Sequence, residues 1–206
     1  MCALGVMVGA VLLPRRAPGT VAEQRARLPP AATCQEEVEG VWKSHSYNPR
    51  FGDWEEFTLE VHKVPGKPGE LEGKITNHIW KGGPKIEQPG QCSSEQPWRA
   101  RVVMKAKGSY EDHEISFYGT EWKIDEVVCG QLTWSGYNLD RFTGTVDPQI
   151  QEFQSVNNDG GRSVNEPVVF RRIGCFDAEG APPQPTVSVS PPPLFRNRRT
   201  GGCGCS

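Results

Sequence analysis

The chain has 206 residues, with 23 basic and 25 acidic side chains, so its formal net charge is −2. The 23 glycines and 18 prolines are too many for a helical bundle, and the absence of a basic excess argues against a nucleic-acid-binding protein. Hydrophobic residues make up 36% of the chain, which is enough to build one core, so one domain with extensions fits this length best.

The chain begins with an apolar run, CALGVMVGAVLL, at residues 2–13. This run has the length of the hydrophobic part of a secretory signal and is shorter than the ~20 residues of a membrane-spanning helix. No Lys or Arg precedes it, whereas Arg15 and Arg16 follow it, so an apolar N-terminus on a cytosolic protein is the alternative. We interpret residues 1–33 as a signal-like segment and a flexible leader, which predicts export to the cell surface or beyond.

Four cysteines occur in the body of the chain, at Cys34, Cys92, Cys129 and Cys175. None belongs to a C-x-x-C pair, which favours disulfides in an oxidising compartment over a structural zinc site. Of the three connectivities that are open, we favour Cys34 with Cys175 and Cys92 with Cys129, because the first pair would tie the ends of the domain together. Reduced buried cysteines in a cytosolic protein are the alternative.

Between residues 34 and 175, apolar and polar residues alternate over short stretches that Gly, Pro, Asn and Asp separate. This alternation is typical of antiparallel strands, and it predicts little helix. The predicted strands are Gly40–Tyr47, Glu56–Val64, Leu71–Trp80, Trp98–Lys107, His113–Trp122, Val128–Gly136, Arg141–Asp147 and Pro167–Ile173.

Each predicted strand has one apolar face, because successive side chains of a strand point to opposite sides. In the second strand, for example, Phe57, Leu59 and Val61 share one face. One-sided strands in sequence close into a barrel or pair as two sheets, since open sheet edges invite aggregation. Residues 34–175 are therefore predicted to form an all-β, eight-stranded antiparallel up-and-down barrel, with a jelly-roll or lectin-like sandwich as the alternative.

The head of the first predicted strand, Glu39-Gly40-Val41-Trp42, resembles the Gly-x-Trp signature of the calycins, the superfamily of lipocalins, fatty-acid-binding proteins and avidins. The resemblance implies that Trp42 plugs a closed barrel end and that a basic residue of the last strand, Arg171 or Arg172, lies across it. A Pro-rich tail replaces the lipocalin helix after the eighth strand, and a Thr-Asp motif between strands six and seven is missing. These departures favour an avidin-like or unclassified calycin.

Residues 176–206 form a Pro-rich stalk that ends in GGCGCS. Proline this dense favours an extended, solvated spacer. A spacer that leads to Cys203 and Cys205 resembles the C-terminal sorting signal of myxobacterial surface proteins, which implies anchoring at the cell surface. The arginines precede these cysteines rather than follow them, unlike in that signal, so a vicinal disulfide or a reactive C-x-C pair is the alternative.

A small eight-stranded barrel can hold one small molecule in its interior. If the first strand turns Trp42 inward, pleat alternation yields a set that combines aromatic walls with a few polar groups, as ligand pockets do. The predicted ligand-binding residues are Trp42, Ser44, Ser46, Asn77, Trp98, His113 and Trp134. They predict a non-catalytic protein that binds a small, partly apolar ligand; a filled core in a structural surface protein is the alternative.

The sequence contains no G-x-S-x-G, GxGxxG or GxxxxGK[ST] motif, and no cofactor is predicted. No metal site is predicted either, because alternation places His62 and His78 on the solvent face and His113 inside. A hydrolase or isomerase that acts at the barrel mouth is the alternative function, and His113 with Asp140 is the pair to examine for it.

Acidic residues at strand ends, such as Glu55 and Asp140, are by default solvated surface charges. Asp140 could instead line the barrel mouth, together with its neighbours Tyr137, Asn138 and Arg141.

Overall fold

The computed structural model describes residues 19–130 and 136–176. Within these ranges the chain forms one short helix and nine strands. They are α1 (Val21–Arg27), β1 (Gly40–Lys43), β2 (Ser46–Asn48), β3 (Asp53–Lys63), β4 (Glu70–Lys81), β5 (Arg99–Glu111), β6 (Glu114–Val128), β7 (Arg141–Asp147), β8 (Glu152–Asn158) and β9 (Val164–Gly174).

All the strands belong to one sheet, in the order β1-β9-β8-β7-β6-β5-β4-β3-β2. The sheet closes into a barrel, because β1 pairs antiparallel with β9 on one side and with β3 on the other. β1 and β2 both pair with β3 and together form one wall strand, which is interrupted at Ser44 and His45. The prediction of an eight-stranded antiparallel up-and-down barrel is confirmed, and the sandwich alternative is wrong.

The predicted strand pattern differs from the described structure in two places. A strand is predicted at Val128–Gly136, but β6 ends at Val128 and the chain bends at the next two residues; residues 131–135 lie outside the described ranges. β8 is absent from the prediction, because its inward residues Ser155 and Asn157 are polar and the strand lacks the apolar face that alternation detects.

The interior is packed with apolar side chains from every wall strand in the half of the barrel where β1 begins and β9 ends. The members of this core include Val38, Trp42, Phe57, Leu59, Val61, Ile75, Val102, Met104, Phe117, Phe142, Phe153 and Phe170. Fully burying such a side chain stabilises the fold by roughly 1.5–3 kcal/mol, so this core is the main source of stability.

Arg172 seals this end of the barrel. Its side chain is 0% exposed, and its guanidinium carbon lies 4.6 Å from the ring centroid of Trp42. The guanidinium donates hydrogen bonds to the carbonyl oxygens of Glu36, Glu37 and Glu39, and thereby holds the segment before β1 across the barrel. We call this end the closed end, and the opposite one the open end.

The described part of the leader packs on the outside of the barrel. Gln24 of α1 donates from Nε2 to Pro167 O (2.8 Å), and its Oε1 accepts from Val169 N (2.9 Å). β2 pairs with β3 and not with β9, so the neighbouring part of β9 has no strand partner on that side. The two bonds from Gln24 satisfy backbone groups of β9 there. The leader predicted to be flexible thus contacts the barrel from Gly19 onward. Within the described residues, no helix has the length and apolar character needed to cross a bilayer.

The described residues contain two disulfides, and they are the pairs that the sequence favours. Cys34 and Cys175 have their Cα atoms 5.5 Å apart and join the end of the leader to the end of β9. Cys92 and Cys129 have their Cα atoms 5.4 Å apart and join the β4–β5 connection to the residue after β6. In the chain-entropy model, each disulfide that closes a loop of this size stabilises a fold by about 3–5 kcal/mol.

We expect Arg172→Met to lower the free energy of unfolding by about 3 kcal/mol or more, because it removes the hydrogen bonds that a fully buried guanidinium makes to residues 36–39 and its contact with Trp42. Urea unfolding followed by tryptophan fluorescence measures this loss. The matched control is Arg141→Met, which removes an exposed arginine from β7 and should change stability by less than about 0.5 kcal/mol. Equal losses in both variants would contradict the sealing role of Arg172.

Candidate functional site

A cavity of about 240 Å³ occupies the open end of the barrel. Its apolar wall comes from Ile79 near the end of β4, Trp98 just before β5, and Tyr137 in the segment that leads to β7. Its polar lining comes from Glu55, Asn77, Asn138, Asp140, Asp159, Arg162 and Ser163. The cavity therefore combines an aromatic and aliphatic wall with a few polar groups.

The register of the sheet explains why these side chains share the interior. On β3 the inward residues run from Val61 at the closed end to Phe57, and then change to Glu55 near the open end. Glu55 lies opposite Ile79 on β4, and Phe57 lies opposite Asn77. Because directly opposed residues point to the same face, the interior changes from apolar to polar at this level of the barrel.

A chain of hydrogen bonds crosses the lining. Asn77 Nδ2 donates to the Tyr137 hydroxyl (2.8 Å), and that hydroxyl donates to Asp140 Oδ2 (2.5 Å). Asn157 Nδ2 donates to Asp140 Oδ1 (2.7 Å). Because the Tyr137 proton is directed at Asp140, its oxygen accepts from the amide nitrogen of Asn77. Asn77 Oδ1 is thereby left buried with no hydrogen-bond partner among the described residues, and the side chain is 2% exposed.

Glu55 is the second acceptor without a donor. The residue is 7% exposed, and no described group donates a hydrogen bond to its carboxyl. The nearest cation is Arg162 in the β8–β9 connection, whose Nη2 lies 3.8 Å from Glu55 Oε1. That guanidinium is held elsewhere, since it bonds both carboxylate oxygens of Asp53 at 2.5 Å and covers the ring of Phe51.

Burial makes the carboxyl groups of Glu55 and Asp140 weaker acids than they are in water. Desolvation raises the pKa of Glu55 to about 8, although the positive charge of Arg162 opposes the shift. Desolvation also raises the pKa of Asp140 to about 7, against the hydrogen bonds from Tyr137 and Asn157. Near neutral pH these carboxyls can therefore take up or release protons when their surroundings change.

The structure brings some of the predicted ligand-binding residues together at this cavity. Asn77 and Trp98 line it. Ser46 lies opposite Glu55 in register, at a second and smaller opening of about 160 Å³ between β2 and β9. Trp42 and Ser44 are buried away from the cavity, and Ser44 Oγ accepts from Phe57 N (3.3 Å). Trp134, Cys203 and Cys205 lie outside the described residues.

The predicted inward position of His113 is wrong. Asp112 and His113 form the two-residue turn between β5 and β6, with φ of 48° and 67°, and this turn takes His113 out of the strand alternation. The residue is exposed, and its carbonyl accepts from Val146 N at the far end of β7. Since Asp140 lies six residues before Val146 and a strand rises ~3.3 Å per residue, about 20 Å separates His113 from Asp140.

The remaining histidines are held by aromatic neighbours on the outside of the barrel. His45 and His78 have ring centroids 5.7 Å and 5.4 Å from that of Trp80, and His62 stacks on Phe176 at 4.0 Å. In the part of the chain that the structure describes, no group of three or more His, Cys, Asp or Glu side chains could hold a metal ion.

Sequence reasoning missed Glu55 and Arg162 as cavity residues. Position at a strand end indicates a solvated surface charge for Glu55, whereas the structure buries it. The signal that could have found it is pleat alternation, because Glu55 shares the inward face with Phe57 and Leu59. Of the residues suggested for the barrel mouth, Tyr137, Asn138 and Asp140 line the cavity, whereas Arg141 is exposed.

Comparisons of the chain with protein-family models, curated proteins and solved structures gave no match. The chemistry of the cavity is therefore inferred from the side chains that line it.

The raised pKa values of Glu55 and Asp140 predict a stability that depends on pH. The folded protein binds more protons than the unfolded chain at Glu55 between pH 4.5 and about 8, and at Asp140 between pH 3.8 and about 7. The unfolding free energy should therefore fall as pH rises from about 4 to 8, by up to about 1.4 kcal/mol per pH unit for each carboxyl.

Urea unfolding between pH 4 and pH 9 measures this slope. The double variant Glu55→Gln/Asp140→Asn should remove most of the slope, whereas Glu72→Gln, at an exposed position on the outside of β4, should retain it. A double variant with the same pH slope as the parent protein would contradict the assignment.

Proposed function

We propose that this protein binds a small, partly apolar molecule at the open end of its barrel without converting it chemically. The observation that carries the proposal is the cavity of about 240 Å³ above an otherwise packed interior. Its wall of Ile79, Trp98 and Tyr137 suits an apolar body, and its buried acceptors suit a ligand with hydrogen-bond donors. Ligand sites in proteins usually combine these two features.

We further propose that the barrel belongs to the calycins and is an avidin-like or unclassified member. Support comes from the closed eight-stranded architecture and from Arg172, which lies over Trp42 at the closed end as the resemblance implies. The same reasoning favours Arg172 over Arg171, because Arg171 instead pairs with Glu152 at 2.7 Å.

Export from the cytosol is the proposed setting for this binding activity. Two disulfides in a domain of this size are typical of an oxidising environment, which supports a secreted or surface-attached protein. Attachment through Cys203 and Cys205 remains a proposal that depends on the sequence alone.

An enzyme that uses the same cavity is the second candidate. The observation in its favour is the pair of buried carboxyls, because the pKa of Asp140 is raised to about 7 and a general acid or base works best near the pH of its reaction. Against it, both carboxylate oxygens of Asp140 already accept hydrogen bonds, from Tyr137 and Asn157. Turnover of a bound ligand in the binding assay below would favour the enzyme.

Gly136 offers a direct test of where a ligand binds. It lines the cavity, and a Cβ built on it meets no atom of a described residue within 4 Å, so Gly136→Leu should fill the cavity without disturbing the fold. Gly83→Leu is the matched control, since Gly83 also has open space around it but does not line the cavity.

The measurement is a thermal-shift and tryptophan-fluorescence screen of hydrophobic and carbohydrate compounds. A ligand at 100 times its Kd should add about 2.7 kcal/mol of stability to the parent protein and to Gly83→Leu, and much less to Gly136→Leu. The proposal would be refuted if no compound in the panel binds. It would also be refuted if the compounds that bind have the same affinity for Gly136→Leu as for the parent protein.

A further inference from the structure

We infer that the ligand carries a protonated amine on a short apolar body, and that Glu55 and Asn77 bind its ammonium group. This inference rests on the proposed function, because the same cavity holds the ligand. It names the chemical class of the ligand, which the cavity volume by itself does not.

The first argument is the hydrogen-bonding capacity that the lining leaves unused. Asn77 Oδ1 is buried without a partner, and the carboxyl of Glu55 receives no hydrogen bond from any described residue. Two donors beside them are committed, since Asn77 Nδ2 bonds the Tyr137 hydroxyl and that hydroxyl bonds Asp140. An ammonium group has three donors and no acceptor, so it complements the Asn77 oxygen and the Glu55 carboxylate.

The second argument is charge. The charged groups that act on Glu55 are Arg162 in the β8–β9 connection, Asp140 before β7, Asp53 on β3 and Glu166 on β9. Three of these four groups are acids, and the one cation, Arg162, already bonds both carboxylate oxygens of Asp53. A ligand carboxylate would therefore meet a mainly acidic surrounding, in which the charge of the one guanidinium is already balanced by Asp53, whereas a ligand cation would be attracted.

The third argument is the wall opposite these acceptors. Trp98, Ile79 and Tyr137 supply aromatic and aliphatic surface to the same cavity. A cation near aromatic faces gains attraction from their quadrupoles, and an aryl or alkyl body packs against them. Aryl-alkyl amines are thus the simplest compounds that match both halves of the lining.

Binding of an ammonium group should release a proton. Because the pKa of Glu55 is raised to about 8, this carboxyl carries a proton at pH 7 in the unliganded protein. A cation beside it stabilises the carboxylate, so the proton of the carboxylic acid leaves to solvent and the ammonium keeps all of its own protons. The affinity should therefore increase from pH 6 to pH 8, with up to about one proton released per ligand at pH 7.

The experiment is isothermal titration calorimetry with phenethylamine, 2-phenylethanol and 3-phenylpropionate, which share the aryl-alkyl body and differ in charge. We expect phenethylamine to bind at least about tenfold more tightly than the alcohol, with an apparent enthalpy that differs between phosphate and Tris buffers. In Glu55→Gln the affinity for the amine should fall to that for the alcohol. The alcohol itself should bind unchanged, which shows that the variant is folded.

Glu72→Gln is the matched control, because it removes the same charge from an exposed position on the outside of β4 and should leave all three affinities unchanged. The inference is overturned if the alcohol or the acid binds as tightly as the amine, or if Glu55→Gln binds the amine normally. Neither result affects the proposed function, provided that binding is lost in Gly136→Leu. If none of the three compounds binds, the amine inference fails, and a neutral ligand found in the wider screen would leave the proposed function standing.

Discussion

The pairing of β1 with both β3 and β9 creates the interior on which the other features depend. Once the sheet is closed, each inward side chain must pack against another, pair with a polar group or face the open end. At the closed end the inward side chains are apolar and pack against one another. Arg172 covers Trp42 there and donates hydrogen bonds to backbone carbonyls. The polar groups that remain are concentrated at the open end.

The open end keeps polar groups whose hydrogen-bonding needs are only partly met. A buried acceptor without a donor costs about 1–3 kcal/mol, and a buried carboxyl responds by holding its proton. Asn77 Oδ1 carries the first cost, and Glu55 shows the second effect, since desolvation raises its pKa to about 8. A ligand that supplies donors recovers part of this free energy, which explains how a site that destabilises the fold can favour binding.

The barrel wall has a gap in its backbone pairing near Glu55. β2 pairs with β3 and not with β9, and α1 covers the gap through the side chain of Gln24. Glu55 lines both the cavity at the open end and the smaller opening at this gap. The leader therefore does more than connect segments, since it supplies hydrogen bonds that a complete wall strand would otherwise make.

Local pattern was sufficient to predict the architecture and part of the site. Period-two alternation identified the inward faces of β3, β4 and β5, and hence Asn77 and Trp98, because pleat geometry depends only on neighbouring residues. It failed for β8, whose inward Ser155 and Asn157 are polar, and for His113, because a turn conformation interrupts the alternation.

The sequence by itself determined a mainly β chain in which most strands have one apolar side, and its cysteine pattern favoured the disulfide pairs that the structure contains. Only the tertiary structure decided that Glu55 is buried, that Arg162 pairs with Asp53, and that Asp140 receives hydrogen bonds from Tyr137 and Asn157. These contacts join residues distant in the chain, and burial and charge depend on which strands meet, so no local pattern of residues specifies them.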